Sequence, residues 1–224
     1  MRALLLGLPL AGCAMGGALH QASIVGTCAQ DDAACSRRHP QAPLAVGTHF
    51  HPEVATEIAG TTTPNLRLDS ADPGVLAVED GALVAKAPGA SAVMISTDDG
   101  AVVDFVHVWV APVTRISLAR RDGDRVSGEL GLAVGEDVTL VPTLWSGAQR
   151  LGGEAEVVWT VSAPRAEREA LPNGSAIGWS ADTVTLLRDG SADRRRIRAR
   201  APGKATITVA LGAATTAFDV EVLP

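Results

Sequence analysis

The residues able to do chemistry fall into a few groups. His49, His51 and Glu53 alternate along a short stretch, and a His-x-His pair on a strand is a geometry that can hold a transition metal. No third distant ligand accompanies them, and two histidines on a solvent-facing strand read equally as plain surface. Asp69, Asp72, Glu79, Asp80, Asp98 and Asp99 stand in turn-like contexts. They could offer oxygens to calcium, although solvated turns explain them more simply. Arg194 to Arg200 form a basic run. On a strand, Arg196, Arg198 and Arg200 share one face, suited to an anionic surface glycan. The plainer reading is a solvated strand flanked by Asp189 and Asp193. Cys13, Cys28 and Cys35 supply thiols for acylation, disulfide formation or metal binding. No Gly-x-Ser-x-Gly elbow, His-Glu-x-x-His helix or phosphate loop occurs. The expectation is therefore no enzyme and no cofactor, with a glycan hydrolase as a remote alternative.

The elements that must position these residues are strands. The 224 residues are 46% hydrophobic and 20% charged, so a folded core is affordable. Aromatics amount to 3% with no Tyr, while Gly 23 and Pro 13 punctuate the chain closely. That pattern disfavours long helices and favours short strands joined by turns. The net charge of -6 argues against a nucleic-acid partner.

Met1-Arg2 followed by the apolar run Ala3 to Leu10 is far too short to span a bilayer and reads as an export signal. Leu10-Ala11-Gly12-Cys13 resembles the lipobox of bacterial lipoproteins. The resemblance implies a signal peptide over 1–12, cleavage before Cys13, acylation of that cysteine and a membrane tether over 13–40. A plain secretory signal with a chance cysteine is the alternative. Ala14, rather than Asp, points to the outer membrane. Cys28 and Cys35 are then left to pair as a disulfide across a short polar loop, as exported proteins allow. The alternative is a metal or redox pair, which their spacing does not match. Ala22 to Thr27 could serve as a first strand that ties the tether to the folded part.

Downstream the chain repeats itself. Leu44-Ala45-Val46-Gly47 returns as Leu132-Ala133-Val134-Gly135, and Ala85-Lys86-Ala87-Pro88-Gly89 as Ala199-Arg200-Ala201-Pro202-Gly203. Each copy closes on an alternating strand, Val106 to Pro112 and Phe218 to Pro224. With Leu68 to Val78 and Gly81 to Gly89, the pattern resembles the group 2 bacterial immunoglobulin-like domain. The resemblance implies an all-β chain of two tandem immunoglobulin-like sandwiches, 41–112 and 113–224. The second copy departs after Trp159, where an insertion is placed near 163–182, holding Trp179. The linker at Ala111-Pro112-Val113 is nearly absent, so the sandwiches should sit end to end with limited freedom.

Alternation in the first copy's last strand sends Val106, Val108 and Val110 inward. Phe105, His107 and Trp109 then share the outer face, a candidate interface in a chain so poor in aromatics. It could be covered by the second domain, the N-terminal segment or a partner. Trp145 and Trp159 read as core. The functional expectation is a non-catalytic envelope lipoprotein that binds an envelope protein or an anionic surface glycan, or acts as a spacer. The alternative is a structural subunit of an envelope assembly.

Overall fold

The computed structural model describes residues 15–16, 22–26, 42–56, 65–163, 169–170, 176–177 and 180–224. Among these residues the regular structure is strand, apart from one 3-10 turn at Ala181–Thr183. The first half carries β1 (Met15–Gly16), β2 (Ala22–Gly26), β3 (Leu44–Ala45), β4 (His49–Phe50), β5 (Pro52–Thr56), β6 (Leu66–Ser70), β7 (Leu76–Glu79), β8 (Ala82–Ala85), β9 (Gly89–Thr97) and β10 (Val102–Ala111). The second carries β11 (Arg115–Arg120), β12 (Arg125–Val126), β13 (Glu129–Ala133), β14 (Asp137–Ser146), β15 (Gln149–Arg150), β16 (Val158–Ser162), β17 (Glu169–Ala170), β18 (Ala176–Ile177), β19 (Val184–Asp189), β20 (Ser191–Ala199), β21 (Gly203–Leu211) and β22 (Ala214–Leu223).

The two halves share one wiring. In the second, the order β12-β11-β14-β20-β19 forms one sheet, and β13-β22-β21-β16 the other. In the first, β3-β10-β9-β6 corresponds to the latter, while β2-β5 and β4-β8-β7 together correspond to the former. A short strand runs parallel to the last strand in both, β3 on β10 and β13 on β22. In each half a four-strand sheet that carries the last two strands, with a short parallel strand at its edge, is opposed by a second, antiparallel face, which is the immunoglobulin plan. The chain is thus all-β and immunoglobulin-like on its own strand order. Each sandwich encloses a core of aliphatic side chains. Leu44, Phe50, Leu83, Ile95 and Val108 are buried in the first, with Ile24 of β2 joining them, and Leu140, Ile197, Ile207, Val209 and Val220 in the second.

The sequence repeat is a repeat of hydrogen bonds. Gly47 N donates to Ala85 O (2.8 Å) and Gly135 N to Ala199 O (2.9 Å). Val46 N reaches Ala111 O and Val134 N reaches Leu223 O, both at 3.0 Å. Gly47 at φ 82° and Gly135 at φ 87° occupy the left-handed region, which glycine enters without a Cβ penalty. A third equivalence is hidden in the sequence. Lys86 N donates to Val75 O (2.9 Å), as Arg200 N does to Thr183 O (2.8 Å). Gly74 N is capped by Asp72 Oδ1 and Asp182 N by Ser180 Oγ. Ser180 to Thr183 therefore builds the same turn as Asp72 to Val75, although the sequence reading assigned residues 163–182 to the insertion. Of the intervening stretch, the described parts are β17 and β18, which pair antiparallel.

The halves are joined by more than a linker. Gly152 N donates to Pro43 O (2.8 Å), and Ala45 N to Gly152 O (3.0 Å). His49 and Glu154 exchange both backbone bonds, at 2.9 and 2.7 Å. Ala45 is buried in the second core together with Leu151, Ala155 and Val157. The corner between β3 and β4 is thus gripped by the chain that follows β15.

Candidate functional site

The pleat of β10 builds the first surface feature. Val106, Val108 and Val110 are buried on one side, so Phe105, His107 and Trp109 take the other. Their rings form a ladder: Phe105 to His107 is 5.6 Å edge-on, and His107 to Trp109 is 6.3 Å and tilted. The opposed residues on β9 are Met94, Ala92 and Ala90, which shrink towards Trp109 and leave its ring 56% exposed. Ala111, the next residue on that face, already packs against the second core.

The second feature is the arginine strand β20. The Arg198 guanidinium grips Asp137 through Nε to Oδ1 (2.8 Å) and Nη2 to Oδ2 (2.7 Å), a bidentate charge-assisted pair. That hydrogen bond first, and then the positive charges of Arg198 and Arg196, hold the Asp137 carboxyl below its ordinary value of 3.8. Asp137 in turn raises Arg198. Arg196 Nε lies 4.0 Å from the same carboxylate, is buried and makes no hydrogen bond. Arg200 donates to Thr185 Oγ1 (3.3 Å). The three arginines share a face, but each has a different electrostatic situation.

His49 and His51 have rings 5.6 Å apart, edge-on. They flank buried Phe50, His49 on β4 and His51 at the break before β5, and the His49 backbone is engaged by Glu154. Among the described residues no group of three or more His, Cys, Asp or Glu could hold a metal ion. The turn acids are occupied locally. Asp98 accepts from Asn65 (3.2 Å), Asp99 accepts from Thr97 and is lowered chiefly by that bond, and Glu79 pairs with Lys86 at 2.6 Å. Cys13, Cys28, Cys35 and Trp179 lie outside the described residues.

One tryptophan reading needs correction. Trp145 is not core: Leu144 takes the inward position, and Trp145 turns to the outer face of its sheet. There Arg115 stacks over its ring at 4.6 Å, and Nε1–H donates to Ser117 Oγ (2.8 Å). Trp159 does pack on the second core, half-buried. The sequence reading also missed Asp104, which is fully buried at a β-bulge with Oδ1 accepting from Phe105 N. A carboxylate inside an otherwise alternating strand was its only signal.

No protein-family model matches the sequence, and no curated protein does. Among solved structures, domains 4 and 5 of the S-layer protein SbsC align with 18% identity over 78% of this chain and 83% of that one, at a TM-score of 0.32. The Escherichia coli adhesin FdeC aligns with 13% identity over 81% and 60%, TM-score 0.32. A chimeric titin Z1Z2 aligns with 13% identity over 80% and 90%, TM-score 0.31. These scores are low, and the immunoglobulin-like assignment stands on the strand order.

Proposed function

We propose that the chain is a non-catalytic lipoprotein of the cell envelope, held to the membrane through acylated Cys13, in which two sandwiches form a stiff arm. The arm presents the second sandwich to an envelope protein or surface polymer. The observation that carries this reading is the joint: Pro43 to His49 and Gly152 to Glu154 are tied by backbone hydrogen bonds in both directions. A covalent linker alone would leave the domains free to reorient. Three experiments test it. Replacing Cys13 by Ser should move the protein from the membrane to the soluble fraction. Small-angle scattering should then give one fixed inter-domain distance. Independent tumbling of the two halves in NMR relaxation would overturn the stiff-arm reading.

A second reading, a docking subunit of an envelope assembly, is favoured by one observation, the exposure of Trp109 at the head of the aromatic ladder. Replacing Phe105 and Trp109 by Ser should then abolish co-purification with the assembly. A surviving complex removes this reading.

A further inference from the structure

The outer face of the second sandwich's β14–β20 sheet carries Arg196 and Arg198 opposite Thr139 and Asp137. Thr139 is the register partner of Arg196, and on its other side Thr139 O accepts from Arg121 N at 3.0 Å. Arg121 and Arg196 thus flank one threonine across three strands. Beside them a cleft of about 520 Å³ is lined by Arg120, Arg121, Asp122, Glu136 and the start of β14 from Asp137 to Thr139. The acids of this region are already engaged. Asp137 is taken bidentately by Arg198, Asp189 Oδ2 accepts from Thr139 Oγ1 (2.8 Å), and Glu136 Oε2 accepts from Ala133 N (2.9 Å). Asp122 Oδ1 accepts from Asp124 N at 3.4 Å. The side chains of Arg120, Arg121 and Arg196 donate no hydrogen bond among the described residues, and the Arg196 Nε–H is buried without a hydrogen-bond partner.

Guanidinium forks left with unused donors, beside carboxylates that each already accept a hydrogen bond from the protein, match an incoming oxyanion. We infer that Arg121 and Arg196 form a subsite for a phosphate group carried by an acidic glycan, with Arg120 at its edge. Arg198 is left out of the subsite because the Nε–Nη2 edge of its guanidinium is taken by Asp137. Asp137 acts as the internal competitor: it sits 4.0 Å from Arg196 and weakens the local positive field. This inference rests on the binding-arm reading and names the chemistry of what the arm meets.

The test uses the full chain in detergent and a phosphorylated mannan, with the same mannan after phosphatase treatment and phosphatidylglycerol vesicles as comparisons. Binding is followed by titration calorimetry at low and at physiological salt. The phosphorylated mannan should bind, more weakly in the higher salt, and the dephosphorylated one should not. R121Q with R196Q should weaken binding about tenfold or more, as expected for lost charge-assisted bonds. D137N should strengthen it, a gain that misfolding cannot produce. R188Q, on an exposed arginine paired loosely with Glu156, should leave it unchanged. Equal binding of both mannans, indifference to the double substitution, or binding to vesicles alone overturns the subsite. Scattering on the same samples reads the stiff arm separately. A fixed inter-domain distance with no mannan binding removes the subsite and leaves the arm standing.

Discussion

Gly153 faces Thr48 across the joint so closely that a Cβ on the glycine would stand 2.7 Å from the threonine Cβ and nearer still to its hydroxyl. Thr48 is itself buried and fixed, with Oγ1 donating to Ala45 O at 2.7 Å. Gly153 also holds φ +92°, where a side chain is strained. The joint therefore depends on a missing side chain. Gly153→Ala should destabilise by about 2–4 kcal/mol, combining overpacking with backbone strain. Calorimetry should show one cooperative transition splitting into two as the sandwiches uncouple. An unchanged melt would show that the contact gives way cheaply.

Arg198 and Asp137 predict a pH dependence. The carboxyl of Asp137 is depressed in the folded protein, so its contribution is present above the unfolded carboxyl value and is lost as pH falls through the folded one. Wild type should exceed D137N in thermal stability at neutral pH. The gap should close as pH drops below 3.8, the ordinary Asp value. Asp99, depressed by Thr97, acts alike in both proteins and cancels in the comparison. A gap that persists unchanged into acid would remove the pairing as its source.

What the sequence made legible was whatever the fold repeats with its spacing intact. Leu44-Ala45-Val46-Gly47 and its second copy keep order because each glycine must turn under a strand parallel to the last one. The turn at Ser180 to Thr183 was obscured because Ser-Ala-Asp occurs in both copies, at Ser70 and at Ser180, two residues out of structural register. The matching bonds align Ser180 with Asp72 instead. Trp145 was misjudged from residue type, whereas the alternation of Leu140 and Leu144 already sent it outward. The unlike circumstances of Arg196 and Arg198 could not be read at all. They depend on which arginine meets Asp137 across β14, a register that no spacing along β20 specifies.

Trp145 offers a direct check of that outward placement. Its ring lies between solvent and the sheet, under Arg115. Trp145→Ala should cost less than about 3 kcal/mol, the lower end for truncating a core aromatic. Arg115→Ala should cost about 0.5–1 kcal/mol, the worth of an exposed cation–π contact. Urea melts of both variants read these values directly, and a core-sized loss for Trp145→Ala would return the residue to the interior.

Trp109 and Trp159 should respond in opposite ways to what their types suggest. Trp109 is 56% exposed, and its replacement by Ser should change stability by less than about 0.5 kcal/mol while removing the head of the ladder. Trp159 packs against the second core, yet its Nε1–H is buried with no hydrogen-bond partner. A buried unpaired donor carries a desolvation penalty of about 1–3 kcal/mol. Trp159→Phe keeps an aromatic ring in place and removes that donor, so the lost packing volume is offset by the lost penalty. The substitution should fall within about 1 kcal/mol of wild type in urea denaturation. Trp159→Ala, which forfeits the ring as well, should cost about 3 kcal/mol or more. If Trp159→Phe proves as damaging as Trp159→Ala, the indole N–H has a partner in solution and the orphaned donor is not a property of the folded protein.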